Sequence, residues 1–135
     1  MRARRLLVLG AFGLALAAPA CRREARPDPK VERESAAAEV LGEGLASYYA
    51  SSLHGRPTAN GERYDRGALT AAHRSLRFGT CVTVVNVENG RTVQVRVNDR
   101  GPFAKGRVID VSEAAAERLG LIGPGLARVR LLPCR

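Results

Sequence analysis

Residues 81–98 read CVTVVNVENGRTVQVRVN, and this stretch sets the fold class. Cys81 to Val87 is rich in β-branched side chains, which favour extended backbone. Glu88-Asn89-Gly90 follows, and Asn-Gly is a strong hairpin-turn signal. Arg91 to Asn98 then alternates: Val93, Val95 and Val97 share one face, Thr92, Gln94 and Arg96 the other. A period of two is the signature of a half-buried strand. Further out, Gly44–Ala50, Arg107–Val111 and Leu126–Leu132 read as strands, the last with Ala127, Val129 and Leu131 inward. One helix is expected, with Ser112 as N-cap, Glu113 in the first turn and Gly120 at the C-cap position. A second helical turn is expected near Leu69 to Arg74. Short strands with one or two short helices over residues 44–135 imply a mainly β domain, a small closed barrel.

The chain has 135 residues, room for one domain, and is 45% apolar and 26% charged, which excludes a wholly disordered chain. With three Phe, three Tyr and no Trp, large aromatic anchors cannot dominate the core. The formal charge of +9 points to an anionic partner or substrate. Residues 22–43 hold five basic and six acidic residues, whereas residues 44–135 hold 14 basic and 7 acidic, so the excess belongs to the domain.

Residues 1–20 place Arg2, Arg4 and Arg5 before an apolar run, Leu6 to Ala18, closed by Pro19 and Ala20. That is the pattern of a secretory signal peptide, and the run is short of the ~20 residues of a membrane span. Export is therefore expected, across a bacterial inner membrane. Cys21 allows two processing outcomes. Cleavage before Cys21 with acylation of its thiol makes a lipoprotein, held to a cell membrane, in particular the periplasmic face of the outer membrane. Ala18-Pro19-Ala20 also fits ordinary signal peptidase, which releases a soluble periplasmic or secreted protein. Three cysteines in an oxidising compartment favour the first outcome: Cys81 and Cys134 pair in a disulfide, and acylation removes the leftover Cys21 thiol. Two buried free thiols are the alternative for that pair. Residues 21–43, with two prolines and an Ala-rich stretch, read as a flexible tether.

Four collinear motifs, GLASYYASSLHGRPTANGERYD, LTAAHRSLRFGTCVTVVNVENGR, VRVNDRGPF and RVIDVSEAAAERLG, resemble the rare lipoprotein A family of septal, endolytic peptidoglycan transglycosylases over essentially all of residues 44–132. The resemblance implies a six-stranded double-psi β-barrel, akin to barwin and expansins. It further implies a lytic transglycosylase acting on peptidoglycan glycan strands stripped of stem peptides and leaving 1,6-anhydro-muramoyl ends. Larger family members carry a C-terminal glycan-binding domain; here the sequence stops at Arg135, so septal targeting is not expected to follow from the resemblance.

Glycosidic cleavage needs an acid for the leaving oxygen and a group that steadies the oxocarbenium-like centre. A transglycosylase needs no activated water, because the sugar's own 6-hydroxyl attacks. Glu88, Glu113 and Glu117 read as surface charges and Asp65 as a turn cap, which leaves Glu62, Asp99 and Asp110. Read from residues alone, Glu62 is a loop charge and Asp99 an Asx-turn; the family match makes them the acidic pair, with His73 a third polar site residue. Asp99 is assigned the acid role, and the reverse assignment stays open. Asp110, within Val108-Ile109-Asp110-Val111-Ser112, matches an essential acid of expansins and is equally readable as a structural carboxylate. Asn60, Tyr64, Asn98, Arg100, Phe103 and Asp110 are the candidate substrate contacts. Adjacent Tyr48 and Tyr49 should face opposite ways, one into the core and one into a groove. No cofactor and no metal site are expected: the two His are isolated and no Cys-x-x-Cys occurs. Expected partners are peptidoglycan and, through Cys21, a membrane; the protein is expected to be a monomer that binds no nucleic acid. The alternative function is a non-catalytic, expansin-like wall-binding or wall-loosening module.

Overall fold

The computed structural model describes residues 40–135 and the isolated positions Gly10 and Gly13. The expected signal peptide, apart from those two glycines, Cys21 and nearly all of the expected tether lie outside the described residues. Six strands follow in chain order: β1 (Gly42–Tyr48), β2 (Thr70–Ala72), β3 (Cys81–Asn86), β4 (Thr92–Asp99), β5 (Arg107–Val111) and β6 (Ala127–Pro133). A 3-10 turn (Ser51–Leu53) follows β1, and α1 (Glu113–Leu119) lies between β5 and β6. β1 begins two residues before the expected Gly44.

The strands close into a barrel in the order β1-β5-β2-β4-β3-β6, with β1–β5 and β2–β4 parallel and the remaining pairs antiparallel. The β3–β4 hairpin forms as its alternation requires: Val93, Val95 and Val97 are buried while Thr92, Gln94 and Arg96 are exposed. The expected Asn89-Gly90 signal falls inside its turn. The Asn86 N–H donates to Arg91 O at 2.8 Å, leaving a four-residue loop, Val87–Gly90, that ends on Gly90 at φ 76°. The core is aliphatic: Val82, Val84, Val93, Val95, Val97, Ile109, Val111, Val129 and Leu131 are all buried.

α1 is capped as its sequence requires. Ser112 Oγ accepts from the Ala115 N–H, and Gly120 takes the left-handed conformation at φ 72°. The hairpin loop supplies the partner for a terminal carbonyl: Asn86 Nδ2 and Asn89 Nδ2 both donate to Leu119 O at 2.9 Å. A Cβ at position 120 would lie 2.9 Å from Asn89 Nδ2, so the close approach, as well as the positive φ, calls for glycine.

One expected element is corrected. Leu69–Arg74 forms no helical turn; Thr70–Ala72 is a buried strand inside the barrel wall. Leu and Ala favour a helix locally, but this segment is bonded on one side to β4 and on the other to β5. The disulfide forms: Cys81 and Cys134 are joined across a sequence separation of 53. The bridge prolongs the antiparallel β3–β6 register, in which Val82 stands opposite Pro133.

Candidate active site

Ala72 on β2 pairs with Asp99 on β4 and with Asp110 on β5. Two carboxylates therefore flank one alanine across three adjacent strands, their Cα atoms about 10 Å apart from two interstrand spacings. Asp99, Ala72 and Asp110 all line a cleft of about 360 Å³, within the size range of small-molecule and sugar sites. Its walls include Tyr49, Arg56, Tyr64, Arg100, Phe103 and Arg107.

Asp99 is held by three donors. Tyr49 Oη donates to Oδ2 at 2.6 Å; the Ala59 and Arg100 N–H groups donate to Oδ1 at 2.9 and 2.8 Å. The expected Asx-like bond to local backbone is thus present, together with two long-range donors that fix the plane of the carboxylate. Burial of Tyr49 and its bond to Asp99 hold the phenol well above its ordinary value, so it stays a donor. Tyr49 rests edge-on against Tyr64, with ring centroids 4.7 Å apart. The expected split of the tyrosine pair is realised: Tyr48 packs against the core and Tyr49 lines the cleft.

Asp110 Oδ1 accepts from Ser47 Oγ at 2.5 Å and is ion-paired with Arg107, whose guanidinium also reaches Ser47. Arg74 anchors the next wall. Its guanidinium donates to Pro102 O, Ala104 O and Arg107 O at 2.5, 2.9 and 3.1 Å, fixing the segment that carries Phe103. Phe103 is 81% exposed, an apolar ring standing at the cleft. Arg100 donates to His73 O and Leu76 O and stacks on Phe78, 3.9 Å from the ring centroid.

Of the remaining expected site residues, Tyr64 lines the cleft, whereas Asn60, Glu62, His73 and Asn98 are not among its lining residues. Glu62 forms a two-pronged ion pair with Arg96, at 2.7 and 2.8 Å, and accepts from Asn98 Nδ2 at 3.3 Å. These bonds, Arg96 first, hold its carboxyl down at about 2. Asn60, expected to touch sugar, instead organises its own loop: Oδ1 accepts from Thr58 Oγ1 and from the Glu62 N–H. Asn98 is 2% exposed and turned to Glu62, too deep for a ligand contact. Tyr64, also 2% exposed, braces Tyr49 and accepts from the Glu113 N–H, so it offers no ring face for a sugar. His73 Nδ1 accepts from the Ser75 and Leu76 N–H groups, closing a local turn rather than orienting a carboxylate. Burial, then Arg100 and Arg74, push this imidazole below its ordinary value, in keeping with its acceptor role. Among the described residues, no group of three or more His, Cys, Asp or Glu is arranged to hold a metal ion.

A closed barrel with parallel β1–β5 and β2–β4 pairs, bearing a carboxylate-lined cleft, is the double-psi β-barrel class. Two solved structures share it: the Streptomyces papain inhibitor (TM-score 0.56, 24% identity, 71% of this chain and 97% of that one) and the apo expansin of Clavibacter michiganensis (TM-score 0.54, 24% identity, 69% and 50%). The family model described as lytic transglycolase matches residues 42–131, and the chain belongs to that family. Curated relatives include the probable endolytic peptidoglycan transglycosylase RlpA of Treponema pallidum, 58% identical over 97 residues, which are 71% of this chain and 30% of the relative. The RlpA of Neisseria meningitidis is 52% identical over 94 residues, 70% of this chain and 39% of the relative. The match therefore spans well under half of those relatives.

Proposed function

We propose that this protein is a lytic transglycosylase that cuts peptidoglycan glycan strands, favouring strands without stem peptides, and leaves 1,6-anhydro-muramoyl ends. The observation that carries the reading is Asp99, fixed by Tyr49, Ala59 and Arg100 at a cleft of sugar size within a domain of this family. Asp99 gives its proton to the glycosidic oxygen as the bond from that oxygen to C1 breaks. The 6-hydroxyl oxygen of the same sugar then bonds to C1, and its proton returns to Asp99, so no water is consumed. Glu62 is engaged by Arg96 and is not among the residues lining the cleft, so it takes no part in the proton transfer. Its contribution is positioning: it ties the loop whose Ala59 N–H meets Asp99 to Arg96 and Asn98. His73 positions through its turn and through its backbone N–H, which donates to Asp99 O at 3.2 Å. Purified glycan strands treated with the protein should gain 1,6-anhydro ends by mass spectrometry. Ordinary reducing ends instead would mean hydrolysis, and binding without new ends would make it a wall-binding module.

The proposal extends to location: export by residues 1–20 and anchoring by acylated Cys21. Cys21→Ser is expected to shift the protein from the membrane to the soluble fraction of cells. A wild-type protein already soluble, with an unmodified Cys21, would establish release by ordinary signal peptidase.

A further inference from the structure

The cleft has three arginines in its walls, and two are committed. Arg100 is spent on the carbonyls of His73 and Leu76 and on the Phe78 ring, and Arg107 on Ser47 and Asp110. Arg56 differs. Its side chain is exposed, and among the described residues its guanidinium has no hydrogen bond or ion pair. Its backbone, by contrast, is pinned. The Arg56 N–H donates to Leu53 O at 3.0 Å, its carbonyl accepts from the Tyr64 N–H at 2.7 Å, and Pro57 bridges to Arg63. Tyr64 braces Tyr49, and Tyr49 holds Asp99. Arg56 is thus a free cationic head on a fixed root, joined through two rings to the candidate acid.

The guanidinium beside the Asp110 carboxylate, that of Arg107, is already paired with it. An anionic substituent on a bound polymer needs a cation not yet engaged, and Arg56 offers one with fork geometry suited to a carboxylate. We infer that Arg56 is a specificity-determining residue that receives the free lactyl carboxylate of muramic acid residues. The inference rests on the transglycosylase reading and adds a reason for preferring strands without stem peptides: a stem peptide converts that carboxylate into a neutral amide.

The test compares peptide-free glycan strands with the same strands after carbodiimide coupling of their lactyl carboxyls to methylamine, measuring both cleavage and binding in a sedimentation assay. The wild type should favour the carboxylate form by about tenfold, the size of a single exposed charge-assisted contact. Arg56→Gln should fall to the amidated rate on native strands and change less than twofold on amidated ones. Arg118→Gln, an equal loss of charge at an exposed helix position, should keep the wild-type preference. Equal losses on both substrates in Arg56→Gln, or none, would overturn the inference. The two readings fail separately: preferential binding lost in Arg56→Gln but without cleavage keeps Arg56 and removes the enzyme, whereas cleavage of both forms at equal rates does the reverse.

Discussion

Asp99→Asn is expected to lower the release of 1,6-anhydro ends by roughly 10²- to 10⁴-fold, the usual loss when a positioned acid is removed. That corresponds to about 3 to 5 kcal/mol at the transition state. The substitution keeps the shape of the side chain and one acceptor oxygen. The variant should therefore fold with unchanged thermal stability to within about 1 kcal/mol, and still bind glycan. Which oxygen matters is readable from a companion variant. Tyr49→Phe removes the donor to Oδ2 and leaves both backbone donors to Oδ1, so it should produce a smaller loss than Asp99→Asn. Near wild-type turnover in Asp99→Asn would reject the site. A folded Asp110→Asn that alone abolished cleavage would move the acid across Ala72 to the other carboxylate of the row. Since Asp110 is paired with Arg107 and Ser47, its variant needs a melting curve beside the assay.

Removing the disulfide has the largest expected effect on stability. The Cys81–Cys134 bridge closes a segment of 53 residues, for which the chain-entropy model gives about 4 kcal/mol. A domain this small has a total stability of only about 5 to 15 kcal/mol. The double variant Cys81→Ala, Cys134→Ala should melt some 15 to 30 °C lower. Urea unfolding, with the slope compared between the two proteins, checks the assignment, because a change in slope would implicate the unfolded state. A loss below about 1 kcal/mol would show that strand pairing alone holds the β3 and β6 ends together. Non-reducing peptide mapping of exported protein should recover the 81–134 linked peptide; two free thiols would exclude the bridge.

Local features were legible in the sequence and non-local ones less so. The β4 alternation, the Ser112 and Gly120 caps and the inward set of β6 each follow from neighbours a few positions apart. Thr70–Ala72 was misread because its partners, Arg96 to Asp99 and Asp110 to Val111, are distant in the chain, and their hydrogen bonds outweigh helix propensity. At the site, resemblance pointed to Asp99 and Asp110 and residue chemistry to Tyr64, Arg100 and Phe103, all of which line the cleft. Asn60, Glu62, His73 and Asn98 were equally candidates, yet they are not among its lining residues. A motif reports that residues travel together, not whether each faces ligand or loop. Asn98 and Asp99 are adjacent, but one is buried against Glu62 and the other lines the cleft. Tyr49 was foreshadowed by simple alternation with Tyr48. Arg56 had no signal, because Arg is abundant throughout the chain.

On the proposed export, the position of β1 between β5 and β6 would bear on how the chain survives passage through a secretion pore. Leu45 pairs with both Arg107 and Arg128, so the first strand has no neighbour until the last third of the domain has emerged. β2 likewise waits for β4 and β5. Early segments would therefore leave such a pore without a stable structure to jam it, and closure would come late, as slow non-local pairing does. During that interval Cys81 would already be outside and Cys134 would not. If Cys21, which precedes both, still carried a bare thiol, it would be the first oxidation partner to hand and the wrong one. Acylating Cys21 would then safeguard folding as well as anchor the product, because it leaves the emerging chain a single pair of thiols to join.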